Sequence, residues 1–516
     1  MNYFYSFIIV IYIVDILALF YYGIHLYILV FLYLKNKKNC KTNNEELEVL
    51  IKKMKKWPKV TIQLPIFNEY YVVERLIKSV CQIDYPKSKL QIQVLDDSTD
   101  ETRFVARKLV KEYKQKGFDI QYIHRENREG HKAGALKEAL KKAKGEFIGI
   151  FDADFIPPRD FFKKTVPHFY KNNKLGMVQT RWGHTNQDYS LLTKAQSIGI
   201  DGHFIIEHTA RNGSGLWMNF NGTAGVWRKK CILDAGDWHY DTLTEDFDLS
   251  YRALLKGWKF QYLYDIISPA ELPPTISAFK SQQFRWAKGS IQTCKKLLPK
   301  IFKSKNPLKV KLEAGTHLLG YTVHPLIVLN VLLTLPVLFF RTQNEFLSTT
   351  VIYSAAMILA VSTLAPVIFY AVSQKALYKN WLNRMRHMPA LTMIGTGIAL
   401  NNTKAWFEAI LGKKSAFIRT PKLKIDTTEE KVINKMKYNN FKLDAMILLE
   451  FSLGVYILFT FIIAIMAEKY IISPFLLLYS AGFFYVCYLA VSDNLKSFFY
   501  EKKQKYIIHK IIRSKA

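Results

Sequence analysis

The chain has 516 residues, 50% of them hydrophobic, with 35 Phe, 30 Tyr and a formal net charge of +31. Such a length predicts two or more modules, and the composition is too apolar for a purely soluble protein and too charged for a simple channel. The lysines spread through loops and flank apolar spans, which fits the inner face of a membrane; no zinc-finger spacing or nucleic-acid motif is present, so nucleic acid is excluded as a partner. The cysteines (Cys40, Cys81, Cys231, Cys294, Cys487) are odd in number and lack pair spacing, which predicts reduced packing residues facing the cytosol.

Residues 3–34 are almost uninterrupted apolar and aromatic, broken by Asp15 and His25 and followed by Lys35-Asn36-Lys37-Lys38. The run is long enough to span a bilayer of about 30 Å, and it has neither the leading charge nor the cleavage site of a signal peptide. Asp15 reads either as a functional intramembrane carboxylate or as an interfacial or bundle-facing residue.

Residues 59–300 alternate strands and helices. Strands are predicted at 60–64, 90–95, 120–124 and 147–154, and helices at about 72–81, 101–116 and 132–144. That alternation predicts a doubly wound, mainly parallel α/β sheet. Three strand ends carry polar clusters, Asn68-Glu69, Asp96-Asp97 and Asp152-Ala153-Asp154, where open α/β sheets bind ligands. Alternation along an extended chain aims Asp152 and Asp154 the same way, where they can share a hard cation with a diphosphate.

Spans are predicted near 314–340, 350–373, 444–467 and 471–493. A further apolar stretch, 389–411, holds Asn401, Asn402, Lys404 and Glu408. Placing it in the interface, or making it re-entrant, puts every basic loop on one side, as the positive-inside rule requires. The resulting plan has an N-terminal transmembrane helix (1–35) and a cytosolic domain (55–300) with an interfacial helix at about 277–298. Two transmembrane helices (312–373), an interfacial segment and loop (389–443), two more transmembrane helices (444–493) and a basic cytosolic tail (494–516) follow. The N-terminus lies outside.

Lys132 follows Gly130-His131 at a helix start, suited to a diphosphate, although a solvated lysine fits the same pattern. Thr244-Glu245-Asp246 precedes an amphipathic helix closed by Gly257. Thr244 reads as an N-cap with acids in the first turn, or Asp246 reads as a general base beside the cation site. Gln282-Gln283-Phe284-Arg285-Trp286 combines a guanidinium suited to phosphate with an aromatic face suited to sugar, and it equally fits a membrane-surface helix. No acyl-transfer triad, Walker A sequence or dinucleotide glycine fingerprint is present.

Asp96-Asp97, Asp152-Ala153-Asp154, Thr244-Glu245-Asp246 and Gln282-Gln283-Phe284-Arg285-Trp286 resemble, in order and spacing, the D, DxD, TED and Q(Q/R)xRW motifs of membrane-embedded family 2 glycosyltransferases. The resemblance covers about residues 55–425 and is strongest to the cellulose synthase-like A and C groups, which make mannan, glucomannan and the xyloglucan backbone. It implies a GT-A domain joined to an α-helical transmembrane bundle, located in the inner or plasma membrane or, in a eukaryote, the Golgi. It places Asp96 and Asp97 by the nucleotide base and ribose, and Lys132 and Gln283 by the donor. Asp152 and Asp154 hold Mg2+ or Mn2+. Asp246 deprotonates the acceptor and Arg285 stabilises the leaving diphosphate, with Glu245, Gln282 and Trp286 as further catalytic residues. Trp286, Phe220, Asn221, Gly222 and Thr244 face the acceptor. Phe417-Ile418-Arg419-Thr420-Pro421-Lys422 resembles the loop that closes over the nucleotide, with Thr420 and Lys422 at the donor; Arg419 and Pro421 depart from that pattern.

Residues 494–516 leave no room for a cyclic-dinucleotide-binding domain, and the plant-type zinc-binding region and large insertions are missing, so regulation by those means is not expected. The resemblance implies a processive inverting synthase that extends a β-1,4-linked glucan or mannan from UDP-glucose or GDP-mannose and passes it across the membrane. Its partners are the nucleotide sugar, the polysaccharide and the bilayer, with a homo-oligomer or accessory subunits left open. A lipid glycosyltransferase adding one or a few sugars is the alternative. A membrane scaffold or transporter with a degenerate transferase domain is a third reading, disfavoured because every expected acid is in place.

Overall fold

The computed structural model describes residues 2–40, 43–54, 56–341, 349–415, 419–425 and 445–513. Strands β1 (Val60–Ile66), β2 (Leu90–Asp96), β3 (Asp119–His124), β4 (Phe147–Ile150), β5 (Leu175–His184), β6 (Gly225–Arg228) and β7 (Lys259–Ala270) form one sheet, ordered β3-β2-β1-β4-β6-β5-β7. β1 pairs in parallel with β2 and β4, β2 with β3, and β5 with β7, while β6 runs antiparallel to β4 and β5. This is the mainly parallel sheet expected from the sequence. The register sets Ile66 beside Asp96 and Gln63 beside Ile150, so β1, β2 and β4 end along one edge.

After the N-terminal helix α1 (Asn2–Asn36), helices α2 (Val73–Cys81) and α3 (Thr102–Gln115) cover one face of the sheet over Ile62, Leu64, Val94 and Phe147. Helix α4 (His131–Lys142) covers the other over Ile148, Ile150 and Met177. The alternation of Gln91 and Gln93 in β2 resembles a solvated face, yet both are fully buried. Gln91 accepts from Thr61 at 2.7 Å and donates to the Lys142 carbonyl at 3.3 Å; Gln93 accepts from Gln63 at 3.0 Å and donates to the Ala139 carbonyl at 3.2 Å. These amides satisfy carbonyls of the last turns of α4 and hold that helix on the sheet.

Five helices among the described residues are long and apolar enough to cross a membrane: Ser6–Asn36, Gly320–Leu338, Ala360–Leu377, Ala445–Met466 and Ser473–Lys496. The second begins later than the sequence suggests, because a separate helix ends at Leu318 and a single 3-10 turn, Gly320–Thr322, intervenes. Residues 389–411 fold as two short helices, Met388–Gly397 and Ala399–Ile410, meeting at Ile398. The second of these packs along the long helix Ile276–Lys303, which runs five residues beyond the predicted Leu298. Asp15 is fully buried on the N-terminal helix. That helix is tied to the α/β domain through His25, 3.0 Å from Glu313, which in turn accepts from Arg211 at 3.2 Å. Cys81, Cys231, Cys294 and Cys487 are buried free thiols.

Candidate active site

Strand β4 stops at Ile150, so Asp152 and Asp154 lie in a turn and not on extended backbone. Strand alternation therefore does not aim them, contrary to the sequence argument, and each carboxylate reaches a different ammonium. Asp152 Oδ1 accepts from Lys132 Nζ at 2.6 Å; Asp154 Oδ2 accepts from Lys422 Nζ at 2.7 Å.

Lys132 sits in the first turn of α4, behind Gly130 and His131, which both adopt left-handed backbone with φ of 65° and 50°. Its ammonium also donates to the Gly222 carbonyl at 2.9 Å and lies 3.8 Å from Glu245. Burial opposes the Lys132 charge, but Asp152 and Glu245 outweigh it and hold the ammonium above its ordinary pKa. It is thus a paired cation, not a solvated surface lysine.

Thr244 occupies the N-cap position of helix α5 (Glu245–Leu255), but its side chain makes no capping bond. Its hydroxyl instead faces Thr293 at 3.5 Å. Asp246 Oδ1 accepts from the Phe247 amide at 2.8 Å, and its own carbonyl accepts from Ser250 Oγ at 2.6 Å. Ser250 in turn accepts from the Phe220 amide at 2.9 Å, tying the segment before Gly222 to this helix. Burial and then the neighbouring Glu245 push the Asp246 carboxyl up to about 7, against the pull of Lys132.

Helix α6 (Ile276–Lys303) brings Arg285 to the same place. Burial lowers the pKa of its guanidinium, while Glu245, Asp152 and Asp246 support its charge. Its Nη2 donates to Thr420 Oγ1 at 2.8 Å. Gln282 and Trp286 are half-buried on this helix, and Gln283 accepts from Tyr321 at 3.4 Å.

The chain from 419 to 425 crosses the cleft as a strap without regular secondary structure; Phe417 and Ile418 lie outside the described residues. Besides its Thr420 and Lys422 contacts, Arg419 Nε is 3.1 Å from Glu69 Oε1, and its guanidinium donates to the Asn68 carbonyl. Burial pushes Glu69 up to about 8 even against the pull of Arg419. Leu423 and Lys424 donate backbone N–H to Glu271 at 2.9 and 2.8 Å. From the sequence alone Glu69 is only part of a polar strand end, and Arg419 and Glu271 have no role. A lone acid in Ala270-Glu271-Leu272-Pro273, at the C-terminal end of a strand, is the signal that would have found Glu271.

Other expected site residues are engaged by partners within the domain. Asp96 is fully buried, accepting from the Ser98 amide and from Tyr122 OH, each at 2.8 Å. Asp97 is engaged by Arg125 through Nε at 2.8 Å and Nη2 at 2.5 Å. Phe220, expected at the acceptor, is fully buried with its ring 5.6 Å from Trp227, so it offers no surface in this structure. Asn221 bridges two imidazoles, accepting from His208 Nε2 at 2.6 Å and donating to His203 Nε2 at 3.0 Å. Both histidines lie on a π-helical turn, His203–His208, which the sequence reading missed.

The carboxylates of Asp152 and Asp154 are the hard donors that Mg2+ or Mn2+ requires. A different cluster, His239, Asp241 and Asp248, also has ligand spacing, but the Lys296 ammonium sits among them at 3.1, 2.8 and 2.9 Å and supplies the positive charge itself.

Residues 58–289 match the family described as "Glycosyltransferase like family 2". Over 281 residues the chain is 41% identical to Glucomannan 4-beta-mannosyltransferase 1 of Cyamopsis tetragonoloba, an alignment covering 53% of each protein. Over 347 residues it is 38% identical to Probable glucomannan 4-beta-mannosyltransferase 11 of Oryza sativa subsp. japonica, covering 66% of this chain and 61% of that one. The chain thus spans about half to three-fifths of the length of these curated relatives. Among solved structures, Mannosyltransferase PcManGT from Pyrobaculum calidifontis, in complex with GDP-Man and Mn2+, aligns with a TM-score of 0.50 at 18% identity, over 78% of this chain and 99% of that one. That likeness shows a shared GT-A fold. The stretch that is similar to glycosyltransferase family 2, residues 58–289, is the one whose acids gather at the strand ends.

Proposed function

We propose that the protein is a membrane-embedded, inverting 4-β-mannosyltransferase that extends a β-1,4-linked mannan or glucomannan from GDP-mannose. The observation that carries this is the convergence of Lys132, Asp152, Glu245, Asp246 and Arg285 in one cleft, in a chain that resembles glucomannan mannosyltransferases. Asp246 takes the proton from the acceptor hydroxyl as that oxygen attacks the anomeric carbon on the face opposite the diphosphate, converting an α-linked donor into a β-linked product. Lys132 and Arg285 face the charge that develops on the departing diphosphate, in a buried setting where such stabilisation is large. Mg2+ or Mn2+ on Asp152 and Asp154 would supply further Lewis-acid neutralisation of that diphosphate.

Asp96 and Asp97 act through their internal partners, shaping the nucleotide end of the cleft. Trp286, one residue beyond Arg285, gives the acceptor sugar an aromatic platform. The excess of basic loop residues sets the N-terminus outside and the α/β domain in the cytosol, beneath a plasma or Golgi membrane. The test is incorporation of label from GDP-mannose by purified protein with Mn2+. Asp246→Asn is expected to lower it about 10²–10⁴-fold, the range of a lost general base, while leaving GDP binding intact; full activity in that variant would contradict the assignment.

A further inference from the structure

Glu271 stands where β7 ends, 3% exposed, and every polar part of it that the strap or the metal-ligand turn can reach is used. Its backbone N–H donates to Asp154 Oδ2 at 3.2 Å. Its carbonyl accepts from Lys422 Nζ at 3.3 Å. Its two carboxylate oxygens accept, one each, from the successive amides of Leu423 and Lys424. Two consecutive N–H groups converge on one anion only where the backbone turns into a concavity, and that turn is present: Lys424 holds φ at +54°, a left-handed conformation costly for a residue with a side chain. Leu423 and Ile425 are buried beyond it, against Tyr71 and Tyr189.

We propose that Glu271 is a positioning residue for donor binding, whose carboxylate, seated in the amide concavity of residues 423 and 424, latches the 419–425 strap across the cleft and thereby delivers Thr420 and Lys422 to the diphosphate. The strain at Lys424 is offset by charge-assisted hydrogen bonds that exist only while the strap is down. The same residue fixes Asp154 through its own amide, so strap and cation turn share one anchor. This rests on reading the cleft as the donor site.

The test is hydrogen exchange on the unliganded full chain, followed through the peptide spanning 419–425, for wild type, Glu271→Ala and the volume-preserving Glu271→Gln. Both variants should exchange the Leu423 and Lys424 amides about tenfold or more faster, with peptides from β1 and β2 unchanged. Alongside, the donor KM should rise about tenfold while kcat at saturating donor falls less than twofold, the pattern of lost binding with intact chemistry. Unchanged exchange in Glu271→Gln overturns the latch. Faster exchange with an unchanged donor KM overturns its role in donor binding. Because the exchange arm needs no substrate, a wild type that uses no nucleotide sugar would defeat the functional reading while the latch is still decided.

Discussion

Gly222 lies at φ +82°, and a Cβ built there would sit 2.9 Å from Asp246 Oδ2 and 3.4 Å from Lys132 Nζ. Lack of a side chain at this one position leaves room for the Asp246 carboxylate beside residue 222, whose carbonyl accepts from Lys132. Gly222→Ala is therefore expected to lower kcat at least about tenfold, roughly 1.4 kcal/mol of barrier, with little change in GDP binding. With Asp246 as the proposed base, the reaction is expected to depend on pH. Only its carboxylate form accepts a proton, and burial with Glu245 raises it to about 7. Log kcat/KM should rise with unit slope through the acid range and level off above about pH 7. Removing the neighbouring charge with Glu245→Gln favours ionisation of Asp246, so the acid limb should move to lower pH. A pH–rate profile checks both; an unmoved limb would show that another group titrates.

At the scale of elements, the site is a joint between two helices. A Cβ at Gly289 would lie 2.5 Å from Thr244 Oγ1 and 2.8 Å from the Thr244 backbone nitrogen, so helix Ile276–Lys303 touches the start of helix Glu245–Leu255 without an intervening side chain. This contact sets the spacing of Arg285 from Asp246. Gly289→Ala overpacks it, at about 1–3 kcal/mol, and should depress both the unfolding temperature and kcat, measurable by calorimetry and by initial rates. The elements up to Asp154 were legible in the sequence because each strand ran into a polar end and each helix had its own period. β5, β6 and β7 were not separated by that reading: β6 has four residues and pairs antiparallel, and β5 carries Gln179, Thr180 and Arg181 inside the domain. Lys132 and Asp246 were legible because their motifs are local. Glu271 and Arg419 were not, because their meaning lies in contacts across 152 or more residues of chain.

In the whole molecule, a polar relay joins the membrane bundle to the cleft. His25 on the N-terminal helix meets Glu313, Arg211 links Glu313 to Glu207, and Glu207 holds His203, which accepts from Asn221 beside Gly222. With Arg211 fully buried and its partners half-buried, these ion-paired groups depend on one another and tie the α/β domain to the N-terminal helix. The proposed polymer, if it is to cross a membrane, has to pass from the cleft to this bundle. The measurement that decides this uses protein in detergent with Mn2+ and radiolabelled GDP-mannose, with the product split into ethanol-insoluble and lipid-extractable fractions. The account predicts insoluble label, long from the first turnovers, that an endo-β-1,4-mannanase releases as short oligosaccharides. Label confined to a lipid carrying one or a few sugars would contradict it.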